Sequence, residues 1–314
     1  MISGSQSLSS IHRFSNRHYS EMCAGLEIEQ RHRPPSYNTF RNAFKKIDVV
    51  MVESIFSKIF RKLKYNILHI DGKASKGSIT NTNTVEQAFL MTVSAYSSEY
   101  KQTAARKSFN NKSSSEIEIV RELIKELKKG KLLTFDSAHC NKETVKIANE
   151  KHHYLAQFKG NQKNLKRTAL ELESKGEIVS EHYSEELNRG RIEKRLTKVY
   201  KYINSKWAGS KSIVIQERWR NNSHEKAFYL SNRVETVEKR ANQIRKHWSV
   251  ESMHWEKDVL MGEDSNKTKE QNLCCVMSCL RTFVLNRCKK SDIKSFSAFS
   301  DSYAHDIPKL FSLL

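Results

Sequence analysis

Two aspartates stand at the ends of short apolar runs that have the character of β-strands. Asp71 closes the run at residues 65–71, and Asp136 closes the run at residues 131–136. Ligands of open α/β sheets bind at the carboxyl ends of strands, so we expect the two acids to face one crevice. Carboxylates there suit Mg²⁺, and two such ions roughly 3.5–4 Å apart can drive a phosphoryl displacement. Each aspartate alone could instead cap a turn, which is a common role of Asp before Gly or Ser.

A third carboxylate is needed from a helix beside the sheet, and the sequence offers several acids for it. The candidates are Glu217, Glu225, Glu235, Glu238, Glu251, Glu256 and Asp258. Glu251 stands out because His254 and Trp255 follow it at i+3 and i+4, on the same helix face. Asp258 follows on that face at i+7. The spacing is equally compatible with a solvated face anchored by tryptophans. A zinc-hydrolase site built from His247, Glu251 and His254 is disfavoured, because their order is not the H-E-x-x-H pattern.

The charge balance points to a polyanionic partner. The 314 residues carry a formal net charge of +20, with 29% charged residues and a sequence pI near 9.6. Such an excess creates a broad positive field, for which nucleic acid is the commonest partner of a soluble protein. The basic stretches at residues 101–112 and 189–201 are therefore predicted to contact phosphates, with strongly salt-dependent binding.

Several other functional classes are disfavoured by what the sequence lacks. No run approaches the roughly 20 apolar residues of a membrane span, and the N-terminus lacks the apolar centre of a signal peptide. The six cysteines show no CxxC pair and no zinc-finger spacing, which predicts buried thiols in a reducing compartment. No GxxxxGKS or GxxxxGKT loop is present, so no nucleotide cofactor is expected. We expect a cytoplasmic protein with no membrane partner.

Apolar periodicity predicts an α/β fold in which a mixed sheet is flanked by helices. Strands are predicted at residues 65–71, 88–96, 101–109, 131–136 and 154–158, and strand-like runs also recur within residues 178–232. Helices are predicted at residues 5–30, 37–63, 114–129, 141–151, 160–174, 236–262 and 267–289.

A series of sequence blocks resembles one family of mobile-DNA enzymes. In chain order the blocks are PPSYNTFRNAFKKID, HIDGKASKGS, VSAYSSE, NKSSSEI, LLTFDSAHCNKET, YLAQFKGNQKNL, RGRIEKR and IRKHWSVESMHWEKDVLMGED. They extend over roughly residues 35–290 and resemble the ISAs-type DDE transposases, the insertion-sequence family that includes the H-repeat-associated proteins. So many blocks in the family's order make a chance resemblance very improbable.

The resemblance implies an RNase H-like core whose DDE triad falls on Asp71 in IDGK, Asp136 in TFDSAH and Glu251 in HWSVE. It implies metal-dependent hydrolysis of a phosphodiester at the element's end, followed by transfer of the freed 3′-hydroxyl to target DNA. The cofactor is then Mg²⁺ or Mn²⁺, as two ions. The expected partners are double-stranded DNA, at the element ends and the target, and a second copy of the chain in a homodimer on the DNA.

The resemblance and the element pattern together predict four segments. A helical N-terminal segment covers residues 1–63, and an RNase H-like catalytic core covers residues 64–164 and 233–290. A β-rich insertion at residues 165–232 precedes the last catalytic helix, and a C-terminal tail covers residues 291–314.

Residues in matching blocks are predicted to position DNA. They are Lys73, Lys159, Asn161, Gln162, Arg189 and Arg191. The wider class often carries a Tyr, Arg, Glu, Lys signature around its last acid, whereas this chain has Ile244, His247 and Asp258 at the other three positions. Of these four positions, only Glu251 is therefore assigned a role from the resemblance. His247, His254 and Asp258 are candidate helpers.

The N-terminal segment is shorter than the family commonly has before its GSQSL-like stretch. In the wider class, residues ahead of the core commonly recognise the element's ends and help to pair two protomers. The alternative function is therefore that of a truncated or domesticated copy, which binds DNA without transposing. For such a copy we expect an intact core, salt-sensitive DNA binding and weak end-specific binding.

Overall fold

The computed structural model describes residues 1–60, 64–80, 87–188, 190–221, 223–293 and 295–313. The strands in this part of the chain are β1 (Ile67–Ala74), β2 (Leu90–Ser97), β3 (Gln102–Asn110), β4 (Leu132–Phe135), β5 (His153–Phe158), β6 (Ile178–Asn188), β7 (Arg191–Lys201), β8 (Ser212–Arg220) and β9 (Ser223–Ser231). Its α-helices are α1 (Leu8–Arg17), α2 (Tyr19–Gly25), α3 (Tyr37–Lys46), α4 (Val49–Phe60), α5 (Glu116–Glu126), α6 (Lys142–Lys151), α7 (Lys163–Lys175), α8 (Val237–His247), α9 (Ser249–Val259), α10 (Gln271–Lys290), α11 (Phe296–Tyr303) and α12 (Ile307–Phe311).

The strands join into one mixed sheet with the order β3-β2-β1-β4-β5-β9-β8-β7-β6. β1 runs antiparallel to β2 but parallel to β4, and β4 runs parallel to β5. The remaining neighbours are antiparallel. Helices flank this sheet, with α5 against β2 and β3 and α8 against β4, β6 and β7. The predicted fold class, an RNase H-like mixed sheet flanked by helices, is confirmed.

The segment predicted as a β-rich insertion supplies β6 to β9, and these strands continue the core sheet. β9 lies antiparallel to β5, with Cα pairs from Leu155↔Ser231 to Phe158↔Phe228. The rings of Phe158 and Phe228 stack with centroids 5.8 Å apart, which joins both parts in one apolar core. Without β9, β5 would present an unpaired edge. The sheet is thus continuous across this segment, and the exact segment boundaries stay a prediction.

Helix α5 begins at Glu116 because Ser115 caps it. The Ser115 hydroxyl accepts the Glu118 N–H (3.3 Å), and the Glu118 carboxylate accepts the Ser115 N–H (3.0 Å), which completes a capping box. Val120 and Leu123 on the same helix are completely buried. Apolar residues at this spacing hold one face of a helix inward. The cap and the buried face together determine where the first turn of α5 stands.

Helix α8 ends and α9 begins at Trp248, so the prediction of one continuous helix over residues 236–262 is wrong. The Lys246 carbonyl accepts both the Trp248 N–H and the Ser249 hydroxyl (2.5 Å), which interrupts the regular hydrogen-bond ladder. The break puts Glu251 in the first turn of α9. The helices predicted at residues 5–30 and 37–63 each form two shorter helices as well, and residues 61–63 lie outside the described residues.

The segment predicted as a C-terminal tail folds into α11 and α12 and packs onto the protein. Phe299 and Tyr303 share a buried apolar cluster with Val250 and Met253 of α9. Phe299 has no exposed surface. Because this cluster holds one side of α9, it determines which side of that helix meets β1.

Helix α10, the longest within the described ranges, is enclosed by the rest of the protein. Cys274, Cys275, Cys279 and Cys288 lie along it as free, buried thiols, which agrees with the prediction made from their apolar context. Within the part of the chain that the structure describes, no helix combines the length and apolarity needed to cross a membrane.

Candidate active site

Asp71 and Asp136 stand side by side where the parallel pairing of β1 with β4 ends. The last Cα pair of this register is Ile70↔Phe135, and each aspartate is the next residue of the chain. Asp136 follows β4, as predicted. The prediction that Asp71 ends its strand is wrong, because β1 continues against β2 as far as Ala74. The two acids nevertheless occupy one edge of the parallel part of the sheet.

Glu251 of α9 shares the electrostatic environment of this edge. Burial raises the pKa of its carboxyl group, the negative charge of Asp71 raises it further, and His254 lowers it. A charge exerts such an effect only as a near neighbour. Glu251 and Asp71 therefore act on one another, which agrees with a shared site. The assignment of the triad stays a prediction.

His254 lies between α9 and β1 with only 8% of its surface exposed. Its Nε2 is 3.3 Å from Oδ2 of Asp71. Neither of its ring nitrogens has a hydrogen-bond partner among the described residues. The contact with Asp71 thus has the distance of an ion pair without the geometry of a hydrogen bond.

His247, at the end of α8, belongs to a buried hydrogen-bond chain near the acids. Its Nδ1 is 2.7 Å from the Thr134 hydroxyl, and the same hydroxyl is 2.7 Å from Nδ1 of His69. Nε2 of His69 continues the chain to the Ser98 hydroxyl at 2.9 Å. A threonine hydroxyl has one proton to donate, so at least one of the two Nδ1 atoms carries a proton. The chain ties the end of α8 to β1 and β4.

The two imidazoles of this hydrogen-bond chain, those of His69 and His247, are neutral near pH 7. Burial, reinforced by His247 and Lys246, lowers the pKa of His69 to about 3. Burial also lowers the pKa of His247, although the charges of Asp71 and Asp136 act in the opposite direction. The influence of both aspartates places the ring of His247 beside the candidate site.

We expect the protein to lose stability in mild acid because His69 is buried and neutral. The pKa of His69 is about 3 in the fold and roughly 6.5 in the unfolded chain. Between these values the unfolded state binds more protons, so stability falls as the pH drops below about 6.5, by about 2 kcal/mol at pH 5. Urea unfolding of the wild type and of His69→Gln at pH 7 and pH 5 measures this. An equally steep pH dependence in both proteins would contradict it.

Lys73 and Asp258 contact each other in a cluster of ion pairs. The Lys73 ammonium lies 2.5 Å from Oδ1 of Asp258, 3.3 Å from Oδ1 of Asp264 and 3.4 Å from Oε2 of Glu263. These acids match the three donors of the ammonium group. The cluster fastens α9 and the loop after it to β1. The predicted contact of Lys73 with DNA would require the cluster to open, so a positioning role suits both residues better.

Asn161 and Gln162 hold the turn after β5 against the loop after β4. The Asn161 side chain donates to the Ser137 carbonyl (2.7 Å), and the Gln162 side chain donates to the Cys140 carbonyl (2.9 Å). This loop begins with Asp136. The two amides therefore support the loop that carries the acid, and their predicted contact with DNA stays a prediction.

A groove with five cationic side chains opens beside the junction of α8 and α9. These lining residues, here called the basic groove, are Lys159, Arg195, Arg218, Lys226 and Arg245. The cavity holds about 420 Å³ and also includes Trp248. The Arg218 guanidinium lies 5.8 Å from the centre of the half-exposed Trp248 ring. Glutamate side chains form ion pairs with four of these five cations, Arg195, Arg218, Lys226 and Arg245. The groove combines positive charge with an accessible aromatic face.

The structure describes some of the basic residues predicted to position DNA and leaves others out. Lys159 lines the basic groove with an exposed side chain. Arg189 lies outside the described residues, and so does the side chain of Arg191, although its backbone belongs to β7. The prediction for these two arginines therefore stays open.

Sequence reasoning missed two residues next to the aspartates, His139 and Glu116. His139 is 1% exposed, and its Nε2 is 3.0 Å from Oε1 of Glu116 and 3.9 Å from Oδ1 of Asp136. The position of His139, three residues after a strand-end acid, was an available signal. Glu116 had no local signal, because its approach to the acids depends on how α5 packs against the sheet.

The side chains at this edge suit a divalent cation in their chemistry. Carboxylate oxygens are the ligands that Mg²⁺ and Mn²⁺ prefer, and a cation relieves repulsion of the kind that raises the pKa of Glu251 beside Asp71. In the described ranges, no three His, Cys, Asp or Glu side chains stand close enough together to hold an ion. Binding would therefore draw the carboxylates closer together.

Comparison with known families relates most of the chain to one domain. The profile of the family described as "Transposase DDE domain" matches residues 59–287. The matched interval contains the nine-stranded sheet of the described residues and the helices α5 to α9. Asp71, Asp136 and Glu251 all fall inside it.

Three proteins of Escherichia coli are similar to the chain at moderate identity. YncI of strain O157:H7, named as a candidate transposase, is 28% identical over 280 residues, which cover 80% of this chain and 70% of YncI. YbfL of strain K12 is 30% identical over 242 residues. YhhI of strain K12, named as an H repeat-associated candidate transposase, is 29% identical over 242 residues. The last two alignments cover 70% of this chain and 63% of each relative, less than two thirds of their length.

Proposed function

We propose that this chain, which belongs to the Transposase DDE domain family, cleaves DNA and joins the freed end to a new site. The reaction centre we assign is Asp71, Asp136 and Glu251. The observation that carries the assignment is the register Ile70↔Phe135, which sets the two aspartates next to each other at one edge of the sheet. We assign Glu251 to the same site because His254, three residues further along α9, lies 3.3 Å from Asp71, and the charge of Asp71 raises the pKa of Glu251.

A neighbouring group contacts the carboxylate of each aspartate. Asp71 is held in β1 between β2 and β4, and His254 approaches it to 3.3 Å. Asp136 accepts the Ala138 N–H at 3.0 Å, which orients its carboxylate. The three acids would hold Mg²⁺ or Mn²⁺. When bound, two such ions supply Lewis-acid stabilisation of the attacking and leaving oxygens of the phosphodiester.

We assign the DNA path to the basic groove. Its cations would neutralise backbone phosphates, and the half-exposed Trp248 ring offers a surface on which a base can stack. Trp248 of the groove precedes Glu251 by three residues, and we propose that a strand bound there continues toward the acids. Joining two element ends requires two active centres, so we propose that two copies of the chain assemble on the DNA.

A cleavage assay tests the proposed function. The substrate is a supercoiled plasmid that carries this gene with its flanking DNA, and the control plasmid lacks the flanking DNA. We expect cleaved products with Mg²⁺ or Mn²⁺ and none in a chelator, because the carboxylates need the ions to act on phosphate. Cleavage that persists in the chelator would contradict the mechanism. Binding without cleavage under either ion would instead support a copy that binds DNA without transposing.

A further inference from the structure

We propose that the exposed face of α4 is the surface through which two copies of the chain pair, in an antiparallel arrangement with two-fold symmetry. The inference rests on the proposed function for its purpose, since two reaction centres must meet on one DNA, but the pairing itself can be measured without DNA. It gives a partner to an apolar surface that the rest of the described chain leaves uncovered.

Helix α4 is apolar around its whole circumference. Eight of its twelve residues are Val, Met, Ile or Phe. Its inner face packs into the protein, where Phe56 and Phe60 are almost completely buried beside Cys279 of α10. A helix that is apolar on all sides is normally buried on all sides. The composition of α4 therefore predicts a second contact, on the side that faces away from the core.

The outer face of α4 carries four large apolar side chains with exposed fractions between 38% and 77%. They are Val50, Met51, Ile55 and Ile59. Exposed apolar surface that is continuous in this way marks a contact surface. The helix is about 18 Å long, too short to span a bilayer. Its outer face thus needs a partner that lies against it.

The exposed positions of α4 form two ridges in which residues repeat every four positions. One ridge is Val50, Ser54 and Lys58, and the other is Met51, Ile55 and Ile59. Ridges with this spacing pack into the groove between the same ridges of a second helix, which is the commonest class of helix packing in globular proteins. When two α4 helices cross antiparallel over Ser54 and Ile55, Val50 of one copy meets Ile59 of the other. The small Ser54 at the crossing point lets the two backbones approach.

The charges at the two ends of this face are complementary to each other. Asp48 precedes α4, and its carboxylate accepts the N–H groups of Val50 (2.8 Å) and Met51 (3.2 Å). Lys58 is exposed in the last turn. Two-fold antiparallel pairing sets Lys58 of each copy within a turn of Asp48 of the other, so two ion pairs form at once. A parallel pair would set like charges together. The charge pattern therefore selects a second copy of the chain as the partner.

Sedimentation equilibrium of the full chain without DNA tests the pairing. We expect a dimer that Ile55→Asp weakens at least about tenfold, because pairing would then bury an unpaired carboxylate. Leu170→Asp is the control, because Leu170 is an apolar residue of similar exposure on the separate helix α7. The control should dimerise as the wild type does. Circular dichroism checks that each variant is folded.

A charge reversal tests the orientation. Lys58→Glu should weaken the dimer about threefold or more, because it sets an acid beside Asp48 of the other copy. Asp48→Asn preserves the cap of α4, since asparagine caps helices as well as aspartate does. The double variant removes the repulsion and should dimerise more tightly than Lys58→Glu alone. Additive losses in the double variant would refute the antiparallel arrangement.

The oligomeric state decides the proposal independently of activity. A wild-type chain that stays monomeric at every concentration would overturn it, and sedimentation of that monomer with vesicles of anionic phospholipid would assign the face to a membrane surface. A dimer that cleaves no plasmid with Mg²⁺ or Mn²⁺ would refute the proposed function and leave the pairing intact. A monomer that cleaves would refute the pairing alone.

Discussion

Asp136→Asn should reduce DNA cleavage at least about 10³-fold, which corresponds to about 4 kcal/mol of barrier height. Asparagine has the shape of aspartate and keeps an oxygen that can accept the Ala138 N–H, so the loop should hold its conformation. It lacks the negative charge that a divalent cation requires. The loss should therefore appear in the cleavage step. DNA affinity should stay within about threefold, because the basic residues that we propose contact phosphates are unchanged.

The measurement compares cleavage rate and DNA affinity for wild type, Asp136→Asn and a matched control. Asp301→Asn serves as the control. Asp301 is exposed on α11, and its substitution removes the same negative charge at a position away from the site. The control should cleave as the wild type does. Cleavage by Asp136→Asn at the control rate would remove Asp136 from the mechanism.

Glu263→Gln should lower the free energy of unfolding by about 3–5 kcal/mol. Glu263 is 4% exposed, and its carboxylate lies 3.1 Å from the Lys257 ammonium and accepts the Ser278 hydroxyl at 2.6 Å. Burial by itself raises the pKa of Glu263, but the charges of Lys257 and Lys73 outweigh burial and hold that pKa below its usual range. Glutamine would remove the charge that faces the buried Lys257 ammonium, whereas Lys73 would keep Asp258 and Asp264 as partners.

The burial of Lys257 makes the loss of stability in Glu263→Gln severe. Burial lowers the pKa of Lys257 to about 8, despite the favourable charge of Glu263. Removing that charge leaves the ammonium desolvated and unpaired. The midpoint of urea unfolding measures the effect. Glu122→Gln, which breaks the exposed ion pair with Lys107, is the control and should shift stability by less than about 1 kcal/mol. Equal midpoints for the two variants would contradict a structural role for the buried pair.

The sequence was sufficient for the features that depend on local pattern. Apolar runs located β1, β4 and β5, and helical periodicity located α5 and α6 within a few residues. Asp136 follows β4 because strand propensity ends at the Asp-Ser turn. The strength of the local pattern explains why the order of elements, and hence the mixed sheet, was predictable.

Predictions failed where a neighbour in space overrides the local pattern. β1 extends past Asp71 because β2 pairs with it as far as Ala74. The helix over residues 236–262 divides at Trp248, where the side chain of His247 is bonded to Thr134 of β4. The C-terminal segment, for which no helix was predicted, packs its aromatic side chains against apolar residues of α9. Each of these contacts joins residues that are distant along the chain, and a local pattern contains no information about them.

By itself, the sequence predicted the class of chemistry that we propose and placed two acids in or directly after strands, because residue type and short-range spacing encode both. The family blocks added Glu251 to them. Only the tertiary structure decided which polar groups share that environment. It brought His139 beside Asp136 and paired it with Glu116, and it engaged Lys73 within an ion cluster. The physical reason is that electrostatic and hydrogen-bonding partners are selected by distance in the folded chain, and packing of helices on the sheet sets those distances.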